Sequence, residues 1–163
     1  MGKILILLLA IKLFAFDIYS DWSGEIPQKY ALKKCGGENI SPSITLKNLP
    51  KNTKSIAITI FDIDVPWLHW AIFNLNKKIP ENIKPNQYLQ LKNTYGFFGY
   101  GGPCPPSGVH RYVLSVYALK QKVNFSKNTP IKKALQIIQP LIIEKREIIG
   151  RFKHRSNFLD FFR

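Results

Sequence analysis

Hydrophobic positions repeat with a period of two over several short stretches of this chain. In "SIAITIFDID", Ser55 to Asp64, the residues Ile56, Ile58 and Ile60 fall on one face. Alternation with β-branched side chains predicts a strand. "LHWAIFNL", Leu68 to Leu75, predicts a second. "HRYVLSVYAL" predicts a third, with Tyr112, Leu114, Val116 and Ala118 on one side, and "EIIGRF", Glu147 to Phe152, a short fourth. Polar, glycine- and proline-rich pieces such as "GGENISPS" and "NLPKNTK" separate them. One segment changes period. Thr129 suits an N-cap and Pro130 a first helical position. Ile131, Leu135 and Ile138 then share a helical face, and Pro140 stops the run. A second helical piece is expected to follow, through Glu147. There are no internal repeats and no low-complexity linker. The pattern is that of a single, mainly β domain with a small helical part near the C-terminus.

The ends differ from this body. "MGKILILLLAIKLFAFD" opens with Lys3, then an unbroken apolar run from Ile4 to Ala10, resumed after Lys12. The run is too short to span a bilayer. It has the layout of a secretory signal with cleavage after Ala15. The expected organisation is therefore a signal peptide over 1–15, a domain over 16–154 and a tail over 155–163, in an exported, periplasmic or secreted protein. The closing "RFKHRSNFLDFFR" interleaves basic residues with phenylalanines. Such an end suits an interfacial or partner-binding segment, and equally a last stretch packed on the domain.

At 163 residues the chain is long enough for one domain with a real core. Its 24 Lys+Arg against 10 Asp+Glu give a net charge of +14. That excess favours acidic partners, whether a protein or a membrane surface, and serves solubility as well. Two cysteines, Cys35 and Cys104, are present. In an oxidising compartment they can pair, or stand as separate thiols; the sequence leaves both open.

Candidate chemistry gathers in two places. In "FDIDVPWLHW", Asp62 and Asp64 stand two apart at a strand's end, and Trp67 and His69 two apart at the start of the next. Period two puts each pair on one face. Pro66 closes the short connection. In "GYGGPCPPSGVHRYVLSVYALK", Gly99 to Lys120, a glycine–proline loop runs into a strand at His110, with Tyr112 facing the same way. Glycines admit close backbone approach, and prolines fix the loop's shape. Residue by residue, each aspartate fits a turn and each histidine a satisfied, half-buried site. A metal site from two His and two Asp lacks an HxH or HxxxH pair. As a set, the parts suit a pocket for a small anion: histidines, backbone N–H groups and a tyrosine hydroxyl as donors, tryptophan and prolines as walls.

"DIDVPWLHWAIFNL" and "GYGGPCPPSGVHRYVLSVYAL" resemble the two ligand-site motifs of the phosphatidylethanolamine-binding protein family, also called Raf kinase inhibitor-like proteins. "IPQKYALKKCGGENISPSITLKNLP" is similar to the opening segment of its bacterial branch, and "EKREIIGRFKH" to that branch's closing strand. The resemblance runs from about Ile26 to His154. It implies a large central β-sheet, a smaller flanking sheet and short C-terminal helices. It also implies a preformed pocket for phosphate, carboxylate or phosphorylethanolamine-like head groups. Carried over by position, the pocket residues are Asp62, Asp64, Pro66, Trp67, His69, Gly102, Pro103, His110 and Tyr112. Asp62 and Tyr112 would contact the anionic group. Ile63 departs from the family's middle proline, and the connection from Val65 to Trp67 is shorter than in most relatives. Both bear on ligand selectivity.

The expected function is a non-catalytic binding protein for a small anion or a phospholipid head group, without cofactor or metal. No nucleophile is placed beside a base by the sequence; Ser107 lies in the glycine–proline loop. The alternative is a basic, secreted interaction protein that inhibits or regulates a macromolecule, as family resemblance allows for kinases and proteases. Nucleic acid is not an expected partner.

Overall fold

A computed structural model describes residues 15–153. The apolar run before Ala15 and the tail from His154 lie outside the described residues. In chain order the elements are β1 (Asp17–Tyr19), β2 (Gly24–Glu25), β3 (Ile44–Lys47), β4 (Ser55–Asp62), β5 (Trp67–Leu75), β6 (Lys78–Ile79), β7 (Leu89–Gln90), β8 (Val109–Leu119), α1 (Ile131–Ile138) and β9 (Ile142–Lys153). Six strands form one sheet in the order β2-β9-β8-β4-β5-β7, and three form a smaller one, β1-β3-β6. The pairings are antiparallel except β2 with β9 at the edge, which is parallel.

Alternation along the central strands sorts two cores, one on each face of the large sheet. Ile56, Ile58 and Ile60 of β4 and Tyr112, Leu114, Val116 and Ala118 of β8 join Ile44, Leu46 and Ile79 of the small sheet. On the opposite face Ala57, Ala71, Phe73, Tyr117 and Leu119 meet Ala134 and Ile138 of α1. Burying each isoleucine contributes about 1.5–3 kcal/mol. The architecture is therefore mainly β, with a large sheet between a small sheet and a short helix.

Two expectations need correction. The second helix through Glu147 is absent: Ile142 to Lys153 is one strand of twelve residues. Its ladder with β8 runs from Leu119↔Ile142 to Val109↔Lys153. Pairing along nearly all of β8 satisfies that backbone and overrides the helix-compatible local pattern of "IIEKRE". The first helix also starts one residue later than Thr129 and Pro130 suggest. Pro130 is its extended N-cap, with no side-chain capping bond. Pro140 sits in a 3-10 turn, Gln139–Leu141, that ends the helix.

Candidate functional site

Three strand ends meet in register. Asp62, the last residue of β4, lies opposite Trp67 of β5 on one side and Tyr112 of β8 on the other. Residues directly opposite share a sheet face, so these three side chains point together. His110, two residues before Tyr112, joins them. They line a pocket of about 400 Å³ with His69, Tyr95, Lys34, Val65, Cys104, Pro105 and Pro106.

His69 shares the pocket face with Trp67, as their spacing of two predicts, and the strand is irregular beside it. The β4–β5 register shifts between Ile60↔Trp70 and Phe61↔Leu68, leaving His69 as the extra residue. A β-bulge of this kind re-aims a side chain. Trp70 therefore turns to the same side as His69: the His69 ring is 5.1 Å from that of Tyr112, and Trp70 packs 5.7 Å from Tyr100. Only 2% of His69 is exposed. Its Nδ1 is 2.7 Å from the Gly101 carbonyl oxygen, and the Gly101 N–H donates back to the His69 carbonyl at 2.9 Å. A carbonyl can only accept, so Nδ1 carries the proton and Nε2 the lone pair. Burial holds His69 below its ordinary value, against the pull of the Gly101 carbonyl and the Asp62 charge.

Asp62 fixes the second histidine. Its Oδ2 accepts from His110 Nδ1 at 2.6 Å. Its Oδ1 accepts the Asp64 and Val65 N–H groups at 2.9 and 3.3 Å, tying the turn after β4. The carboxylate is thus engaged on both oxygens. Two donors are not. Tyr112 Oη and Trp67 Nε1 are buried and have no hydrogen-bond partner. Burial, then the Asp62 charge, pushes the Tyr112 hydroxyl far up, so it keeps its proton. The same two causes raise Tyr95 to about 12; its hydroxyl donates to the Gly102 carbonyl at 3.2 Å.

Other expected site residues go elsewhere. The strand ends at Asp62, so the period of two does not carry on to Asp64. Asp64 instead accepts from the Arg111 N–H at 2.7 Å and from its guanidinium at 2.6 Å. Arg111 beside it holds the carboxyl down to about 2. Asp64 and Pro66 line an adjoining groove of about 620 Å³ with Ile63, Ser115, Lys145 and Glu147, which shares Asp62 and Val65 with the pocket. Gly102 and Pro103 stand behind the pocket wall. The Gly102 N–H donates to Asn39 Oδ1 at 2.8 Å. A Cβ on Gly102 would lie 2.0 Å from the Tyr30 carbonyl oxygen. The glycine is there for close backbone packing, and the N–H groups of Gly101 and Gly102 already have protein partners.

The two cysteines form a disulfide, Cys35–Cys104, with Cα atoms 5.6 Å apart. It ties the 3-10 turn Lys33–Cys35 to the proline-rich wall. Lys34 and Tyr95 were not foreseen. The pairing of Cys35 with a motif cysteine is the signal that locates Lys34; Tyr95 comes from the loop between β7 and β8 and has no comparable signal. Among the described residues no cluster of three His, Cys, Asp or Glu is set to hold a metal.

Residues 21–153 match the family model described as phosphatidylethanolamine-binding protein. A UPF0098 protein of Methanothermobacter thermautotrophicus is 35% identical over 141 residues, covering 80% of this chain and 91% of that one. The crystal structure of a phosphatidylethanolamine-binding protein homologue from Chlamydia trachomatis superposes with a TM-score of 0.77 at 29% identity, over 86% of this chain and 99% of that one. YbcL of Escherichia coli gives the same TM-score and coverage at 26% identity.

Proposed function

Because the chain belongs to the phosphatidylethanolamine-binding protein family, we propose that its pocket holds a small phosphate- or carboxylate-bearing ligand and releases it unchanged. The observation that carries this is the pair of orphaned donors, Tyr112 O–H and Trp67 N–H, in one cavity wall. Each buried donor without a partner costs about 1–3 kcal/mol. A ligand rich in acceptor oxygens removes that cost. His69 and His110 stand beside them with one ring nitrogen each held by the protein. Protonation of either ring on ligand entry would add a charge-assisted donor.

Turnover is not part of the proposal. The hydroxyls in the wall are tyrosines, the one cysteine is bridged, and Ser107 is exposed outside the wall. Titration calorimetry with inorganic phosphate tests the site. The native protein should bind, and His110→Ala should weaken binding at least about 10-fold, the scale of a charge-assisted hydrogen bond. Equal binding by both proteins would remove this assignment.

We also propose that the protein works in an oxidising compartment. The bridged pair and the N-terminal apolar run support this. Intact mass of the protein from its native host should correspond to a chain beginning at Phe16; an intact Met1 terminus with two free thiols would contradict it.

A further inference from the structure

Lys34 is the one lysine in the pocket wall. Its position is fixed on both flanks. On one side the Leu32 N–H donates to the Pro103 carbonyl at 3.2 Å; on the other, Cys35 is covalently joined to Cys104. Lys34 therefore rides on a turn clamped to the same proline-rich loop that walls the cavity. Among the described residues it makes no ion pair within 4 Å. The wall's carboxylate, Asp62, is already occupied on both oxygens by His110 and the turn N–H groups. The pocket thus presents an unpaired ammonium and no free carboxylate.

We propose that Lys34 sets the specificity of this pocket, favouring phosphomonoesters that carry no positive charge over those that carry an ammonium. This rests on the anion-pocket function proposed above. A phosphomonoester without an ammonium group is a net anion and gains the Lys34 ammonium as its counter-charge. Phosphorylethanolamine brings its own ammonium into the same mouth, where it meets a like charge and finds the wall's one carboxylate already holding His110 and two backbone N–H groups. A soluble sugar or glycerol phosphate and the phosphomonoester head of phosphatidic acid share the favoured chemistry.

The test is calorimetry at low salt with glycerol 3-phosphate and phosphorylethanolamine. It uses the native protein, Lys34→Gln, Lys34→Glu and His110→Ala, each checked for a native circular dichroism spectrum. The native protein should prefer glycerol 3-phosphate by about 5-fold, the upper range for one exposed charge pair. Lys34→Gln should bind the two alike, and Lys34→Glu should reverse the preference. Equal binding of both ligands by native and Lys34 variants, with His110→Ala losing both, would overturn the role of Lys34 and leave the pocket standing. Tighter binding of phosphorylethanolamine by the native protein would overturn it as well. No binding of either ligand, or binding untouched by His110→Ala, would overturn the pocket itself. Flotation with phosphatidylcholine vesicles, with and without phosphatidic acid, assigns the source. Recruitment by phosphatidic acid that Lys34→Gln weakens supports the proposal with a lipid ligand. No recruitment, with the calorimetric preference intact, supports it with a soluble one.

Discussion

Removing the Cys35–Cys104 bridge should destabilise the protein by an amount set mainly in its unfolded state. The two residues are 69 apart in sequence. Closing a loop of that length removes unfolded-chain entropy worth roughly 4 kcal/mol at 25 °C. Unfolding entropy is about 2.1 cal/mol/K per residue, so over the roughly 140 described residues the melting temperature should fall by about 14 °C. The perturbation is Cys35→Ala/Cys104→Ala, followed by circular dichroism on heating and in urea. The urea m-value should also rise, because an uncrosslinked unfolded chain exposes more surface. The folded pocket should survive below the transition, since the Leu32–Pro103 bond and the Gly102 packing join the same segments. A fall of less than about 4 °C, the equivalent of roughly 1 kcal/mol on the same entropy scale, would refute the chain-entropy argument here.

Three further outcomes follow from the geometry. His69 should titrate below its ordinary 6.5, because burial opposes its charge. The unfolded chain then binds the extra proton first, so stability falls as pH drops below about 6.5 and toward the folded value; an imidazole NMR midpoint at or above 6.5 would contradict the buried, Nδ1-protonated ring. Asp64, held at about 2 by Arg111, should return toward its ordinary 3.8 in Arg111→Gln, as read by carboxyl carbon NMR; its contribution in the native protein is present above 3.8 and lost as pH falls through about 2. Gly102→Ala should cost about 3 kcal/mol or more in urea unfolding, since the added carbon meets the Tyr30 backbone; a loss under about 1 kcal/mol would show that the two loops can part easily.

Much of this was legible in the sequence because it is written in periodicity. The isoleucines of β4 and the Tyr112–Ala118 series of β8 face the core that their alternation predicts. Asp62, Trp67, His69, His110 and Tyr112 could be brought together from the motifs, because strand ends and short connections restrict where they can point. What was not legible depends on pairing partners distant in sequence. The bulge that puts Trp70 on the same side as His69 exists only in the register between β4 and β5. Asp64 leaves the pocket because Arg111, 47 residues away, offers a two-pronged partner. Residues 142–147 carry no local preference strong enough to exclude a helix; the length of β8 decides their conformation. Gly102, read as part of an anion-binding loop, proved to be a contact point for the Tyr30–Leu32 backbone.

The edge where β2 runs parallel to β9 has a bearing on how the chain is made. Gly24 and Glu25 pair with Gly150 and Arg151, and the Phe16 N–H donates to Glu144 at 3.3 Å. Synthesis delivers the N-terminal residues first. Here they must wait for the last strand, because their partners are among the final residues of the described chain. Contacts so distant in sequence slow folding. Until β9 has emerged from the ribosome, β2 has no partner and β8 lacks its longest one.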